Sequence, residues 1–161
     1  MAVDMFLEIK ECPGESTKKG HEGQIDITSF SFGAVQSGSF ARGGAGGGAG
    51  KAEFQDISIV KEVDKSSPKL FQACAAGTHF QKATIYVRKA GDKPLEYYKV
   101  ELSDLIVSSV QNSGSSGGDS VMESITFNTA KINFTYVEQD AKGGAGKTVT
   151  AGFDVRAGEK V

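Results

Sequence analysis

The chain has 161 residues, with 18 basic and 20 acidic side chains and a formal net charge of −2. That length accommodates one domain with a core of its own, and so even a charge balance argues against a nucleic-acid partner, which needs a net basic face. No apolar run is long enough for a membrane-spanning helix, so no membrane insertion is expected.

Period-two alternation dominates from the start, which is the signature of half-buried strands. Met5, Leu7 and Ile9 share one face of a first strand. This acid-bearing start lacks the basic and apolar regions of a secretory signal, so the expected location is cytoplasmic, with no classical export. Ile25 and Ile27 alternate, then Phe30 and Phe32 alternate with Ser29 and Ser31. The apolar parity flips between Ile27 and Phe30, and a bulge or bend near Thr28-Ser29 would restore one buried face. Phe54, Ile57 and Ile59 mark a strand with a similar slip.

One segment reads as a helix. Ser67 is the expected N-cap, Pro68 the first helical residue and Gly77 the left-handed stop. Leu70, Phe71 and Cys74 give it an apolar stripe, which makes Cys74 a small buried residue rather than a reactive thiol. Further strands follow around Ile85 and Val87. Tyr98, Val100 and Leu102 lead into Leu105 and Val107 with another parity change. The Asn112–Gly118 segment is a flexible turn, after which Val121, Ile125 and Phe127 share a face, as do Ile132, Phe134 and Tyr136. Val149, Ala151, Phe153 and Val155 form the last strand. The expected fold is therefore mainly β, a closed β-barrel of two curled antiparallel sheets with one short α-helix and a long Gly-rich loop, in a single domain 1–161.

Two glycine loops look like phosphate cradles: Arg42 to Lys51, and Gly143-Gly144-Ala145-Gly146-Lys147-Thr148. A phosphate cradle must open a helix, whose first amides and dipole hold the anion. Both loops lead instead into β-branched or alternating sequence, and Ala52 stands where a Ser or Thr should follow Lys51. Nucleotide binding through Lys147 and Thr148 is the enzymatic alternative, and it lacks that helix. Cys12, His21, Cys74 and His79 do not match the spacing of a common zinc module, and the two cysteines read as reduced thiols. His79 reads as a loop histidine, no G-x-S-x-G elbow supports a nucleophile, and carboxylates such as Asp26 and Glu53 identify nothing. No catalytic residue, cofactor or metal ligand is assigned, and no enzymatic activity is expected.

Several ordered stretches carry a resemblance: Met1 to Leu7; Gly14-Glu15-Ser16 with His21; Ile25-Asp26-Ile27 leading to Phe30-Ser31-Phe32-Gly33; Asp64-Lys65-Ser66-Ser67-Pro68; Arg88-Lys89-Ala90-Gly91; Leu105 to Val110; and Glu123-Ser124-Ile125-Thr126-Phe127. In this order the chain resembles the haemolysin-coregulated protein (Hcp) family, the tube protein of bacterial type VI secretion. Many members carry two tryptophans where this chain has Phe30 and Phe32, a change that keeps aromatic burial.

The resemblance implies a structural subunit that forms a homohexamer, whose rings stack into a tube expelled by sheath contraction. The implied partners are further copies of itself, a valine–glycine-repeat spike protein, the contractile sheath and baseplate, and small effectors in the ring lumen. The subunit would be secreted through the type VI system without a signal peptide. The alternative is a ring-shaped effector carrier with no main role in tube building. If Phe30 and Phe32 face the core, Ser29 and Ser31 face away from it and become candidates for lumen and cargo contact. Gly43, Gly44, Gly46, Gly47, Gly48 and Gly50 are candidates for an inter-ring stacking loop, since a glycine chain costs entropy to order until a contact compensates.

Overall fold

A computed structural model describes residues 2–38 and 51–161. The elements in chain order are β1 (Val3–Glu8), β2 (Ile25–Asp26), β3 (Ser29–Ser31), β4 (Ala34–Gln36), β5 (Ala52–Phe54), β6 (Ile57–Glu62), α1 (Ser67–Ala76), β7 (His79–Lys89), β8 (Glu96–Ser113), β9 (Met122–Gln139), β10 (Ala145–Asp154) and β11 (Glu159–Lys160). A nine-stranded antiparallel sheet runs β11-β10-β9-β8-β7-β1-β2, with β6 on β9 and β3 on β6; β4 and β5 form a separate hairpin. Strand β9 changes partner along one edge, taking β6 at Met122 to Phe127 and β10 beyond Lys131. The candidate stacking glycines, Gly43 to Gly50, lie outside the described residues.

The mainly β architecture with one short helix is as expected, but the strand pairings do not close into a barrel. Among the described residues no ladder joins β2 to β3 or β6. Instead the chain turns the corner in two residues, too short a span for a ladder. The Ile27 amide donates to the Met5 carbonyl at 3.2 Å, and the Thr28 amide and hydroxyl both donate to the Val60 carbonyl, at 2.8 and 2.9 Å. This corner is where the apolar parity flips.

The parity change between Leu102 and Leu105 has an equally local cause. Asp104 has φ 52°, a left-handed conformation that a side chain rarely adopts. On β8 it separates buried Leu102 from buried Leu105. Opposite it on β9 the buried set changes from Phe127 to Ile132. Both strands thus exchange their inward face at one level, where the Thr129 hydroxyl donates to the Ser103 carbonyl at 2.9 Å.

The core gathers Leu7, Ile25, Ile59, Ile85, Leu102 and Ile125, with Leu70 and Ala73 of α1 packed on it. Each such aliphatic side chain contributes about 1.5–3 kcal/mol on burial. Several apolar positions differ from expectation. Phe71 is 59% exposed, because α1 turns Leu70 and Ala73 inward; Val121 just before β9, and Tyr136, Val149 and Ala151 on the β9–β10 pair, are exposed as well. Cys74 is half-buried against the core, while burial pushes the Cys12 thiol above its usual range.

The helix start also differs. Ser67 is its first residue and Pro68 its second. The capping role falls to Asp64, whose carboxylate accepts the Ser66 amide at 2.9 Å while the Ser67 hydroxyl accepts the Asp64 amide at 3.0 Å. That reciprocal pair has the form of a capping box one turn earlier. Gly77, at φ 66°, ends the helix as expected.

Candidate functional site

The second glycine loop is a hairpin turn between β9 and β10. Its amides face inward: Asp140 Oδ1 accepts from the amides of Lys142 at 2.9 Å and Gly144 at 2.7 Å. A cradle would aim those donors at a phosphate, and the element that follows is a strand rather than a helix. The first loop likewise leads into β5 and β6. Among the described residues no group of three or more His, Cys, Asp or Glu side chains is placed to hold a metal. His79 is exposed at the start of β7, and Asp26 and Glu53 are exposed on β2 and β5.

Ser29 and Ser31 are exposed on β3, with half-buried Phe30 between them packed on the core. Ser31 heads a row of hydroxyls crossing four strands. It pairs with Ser58 of β6, Ser58 with Thr126 of β9, and Thr126 with Ser109 of β8. Thr126 Oγ1 lies 2.6 Å from Ser109 Oγ and 2.7 Å from Ser108 Oγ. Asp56 at the margin accepts from Ser108 Oγ at 2.7 Å and Asn128 Nδ2 at 2.9 Å. The row beside it, Ser29, Val60, Ser124 and Gln111, also carries no charge. Inward neighbours of these residues, such as Ile59, Ile125 and Phe127, fill the core, so strand alternation alone builds a neutral, hydroxyl-rich outer face.

A second buried cluster lies on the opposite face of β1, and the period-two reading missed it. Phe6 is fully buried, although it points away from the main core. The segment from Lys10 to Gln24 folds over it. His21, 2% exposed, stacks on Phe6 with ring centroids 4.2 Å apart. Its Nε2 lies 2.5 Å from Glu96 Oε1 and its Nδ1 2.8 Å from Gln24 Oε1. The Arg88 guanidinium sits over the other side, 5.2 Å from the Phe6 centroid, and donates to the Lys19 carbonyl at 3.1 Å. Gly14 lets the segment approach, since a Cβ there would lie 2.5 Å from the Gln24 carbonyl oxygen. The signal available in the sequence was a phenylalanine out of phase with its strand.

A buried charge cluster ties α1 to the sheet. Lys61 and Glu123 face each other across β6 and β9 and form an ion pair. Lys61 also donates to Asp64 Oδ1 at 2.9 Å and Ser67 Oγ at 3.0 Å, and Ser67 Oγ donates to Glu123 Oε1 at 2.7 Å. Buried charges persist only when paired and hydrogen-bonded in this way. Gly14, His21, Asp64, Ser67, Arg88 and Glu123 all lie in stretches that carried the resemblance. They hold the fold.

The family model described as "Type VI secretion system effector, Hcp" matches residues 6–136. The chain belongs to the Hcp family. It is 44% identical to protein hcp1 of Pseudomonas aeruginosa over 158 residues, 97% of each chain. A solved structure of a type six secretion system protein superposes with a TM-score of 0.93 at 30% identity, covering 99% of this chain and 100% of that one. Hcp1 from Salmonella typhimurium matches with a TM-score of 0.81 at 31% identity over the full length of both chains. This chain is therefore a type VI secretion protein with the Hcp fold. Phe30 and Phe32 pack as an aromatic pair, with ring centroids 6.0 Å apart and Phe32 set against Phe134 at 5.4 Å.

Proposed function

We propose that this Hcp-family chain is a tube subunit: copies associate head to tail into a hexameric ring, and rings stack into a tube that carries small effectors and is expelled by a contractile sheath beneath a spike. The observation that carries this reading is the neutral hydroxyl face headed by Ser31. Rows of strand residues without charge hold no ion-paired cargo fixed and let proteins of either sign slide, which suits a conduit. Ser29 and Ser31 are its lumen and cargo contacts.

Strand β10 supports the self-association. From Ala145 to Ala151 it is exposed throughout, and β11 pairs only with its far end at Phe153 and Asp154. Val149, 62% exposed, pairs with Tyr136, itself 47% exposed. An open sheet edge presents unpaired backbone groups that a neighbouring copy can pair with, and heterologous contacts close into a ring when the rotation closes. The glycine run, Gly43 to Gly50, is assigned to contact between stacked rings. The subunit leaves the cell by the type VI route.

Light scattering combined with negative-stain microscopy tests the reading. Rings, alone or stacked, are the expected result, and a monomer at micromolar concentration overturns it. Rings that retain a small protein but never stack would favour the effector-carrier alternative. Deleting Gly43 to Gly50 should spare single rings and impair tubes.

A further inference from the structure

The hairpin of β4 and β5 stands over the sheet and leaves an apolar cavity of about 170 Å³ beneath it. Phe32, Phe54, Phe134 and Phe153 line it, with Ile57 and Ile132 at its base. Apolar cavities of roughly this size, about 150 Å³, hold one benzene ring. The cavity continues into a second depression of about 280 Å³ that shares Phe54 and Phe153. The second depression is polar at its far side, where Gln36 and Lys51 line it. No acidic side chain is among the described residues lining either space. The two spaces together form a slot with an aromatic end and a cationic end.

We propose that this slot binds a small anionic amphiphile: one ring or short branched chain seated among the four phenylalanines, and a carboxylate facing Lys51. The aromatic end supplies area and shape, since ring faces and edges pack well on a flat apolar group. The lysine supplies the sign, because an ammonium rejects a cationic head and attracts an anionic one at contact distance. None of Ser31, Ser58, Thr126 and Ser109 of the hydroxyl row lines the slot, which is walled instead by the β4–β5 hairpin and by Phe153 of β10.

The test uses the full chain in its native assembly, with labelled isoleucine methyls observed by NMR. The probes are phenylpropionate, phenylpropanol and phenylpropylamine, which share a tail and differ in charge. Phenylpropionate should give saturable shifts at Ile57 and Ile132, with a dissociation constant on the order of 1 mM for a ligand of this size. The amine should bind about fivefold more weakly, as a single partly solvated charge contact allows. Lys51→Glu, at an exposed position, should reverse that order. Ala34→Phe, on the hairpin wall of the cavity, should abolish the response to all three probes while leaving the remaining methyl spectrum intact. The proposal fails if no saturable shift appears, as when a second copy covers the slot. It also fails if the three probes bind alike, or if binding survives Ala34→Phe.

Discussion

Lys61 and Glu123, at 0% and 2% exposure, meet as an ion pair inside the sheet, and the same lysine holds Asp64 and Ser67 at the start of α1. Removing one member leaves a buried charge unpaired. Lys61→Met and Glu123→Leu should each destabilise the subunit by about 3–5 kcal/mol. The double variant should lose less than the sum, because two apolar side chains can share the space. Urea unfolding of the two single variants and the double variant checks this, and additive losses would argue against the pairing.

Gly14 is a second point where one atom decides. A Cβ at this position would lie 2.5 Å from the Gln24 carbonyl oxygen and 2.6 Å from the Ile25 Cα, both backbone atoms that cannot step aside. Gly14→Ala should cost about 1–3 kcal/mol, as overpacking does. It should also lift the segment that carries His21 off Phe6. Faster amide exchange at Ser16, which donates to the Gln24 carbonyl, and at Gly23, which donates to the Ser16 carbonyl, is the expected readout.

Tyr86 sets an alkaline limit. Burial first, and then the neighbouring Glu8 carboxylate, push its phenol up to about 12 from the ordinary value of 10.0. The folded chain thus keeps a proton that the unfolded chain gives up. The resulting stability is fully present below pH 10 and is lost as pH rises through about 12. Tyr86→Phe removes the ionisable group, so its unfolding midpoint should fall less steeply over that window than the parent's. Parallel slopes in urea titrations at several alkaline pH values would refute the assignment.

Val149→Asp probes the open strand. The residue is exposed and contributes nothing to the main core, so the fold should keep its stability to within about 0.5 kcal/mol. Association should weaken strongly, since a carboxylate beside Tyr136 is poorly tolerated when a neighbour covers it. Sedimentation of the variant should show a shift from rings toward single subunits, accompanied by an unchanged circular dichroism spectrum.

How much of this was legible in the sequence depended on whether the cause was local. The breaks at Thr28 and Asp104 could be read as parity flips, because a strand with one buried face cannot change parity without a bend. Gly77 could be read because only a left-handed residue ends a helix that way. Phe71 and Val149 were misjudged, since their exposure depends on what stands opposite them, and period alone does not carry that. Ser67 appeared as a cap because its hydroxyl's true partners, Lys61 and Glu123, are distant in the chain. The outward direction of Ser29 and Ser31 followed from alternation with Phe30. The hydroxyl row they head needed three strand registers, which no local pattern encodes.

The corner at Ile27–Thr28 also orders events in time. The β7–β8–β9–β10 meander joins strands that are neighbours in sequence, so its contacts close short loops and can form early. The pairing of β1 with β7 joins Val3 to Lys89, and Thr28 must find Val60 on β6. These pairings close long loops, whose entropy is lost before any contact repays it. The corner can lock only when both distant edges are already in register. Its hydrogen bonds should therefore gain protection only after the β1–β7 and β6–β9 ladders, which pulse-labelled amide exchange during refolding would show at Ile27 and Thr28.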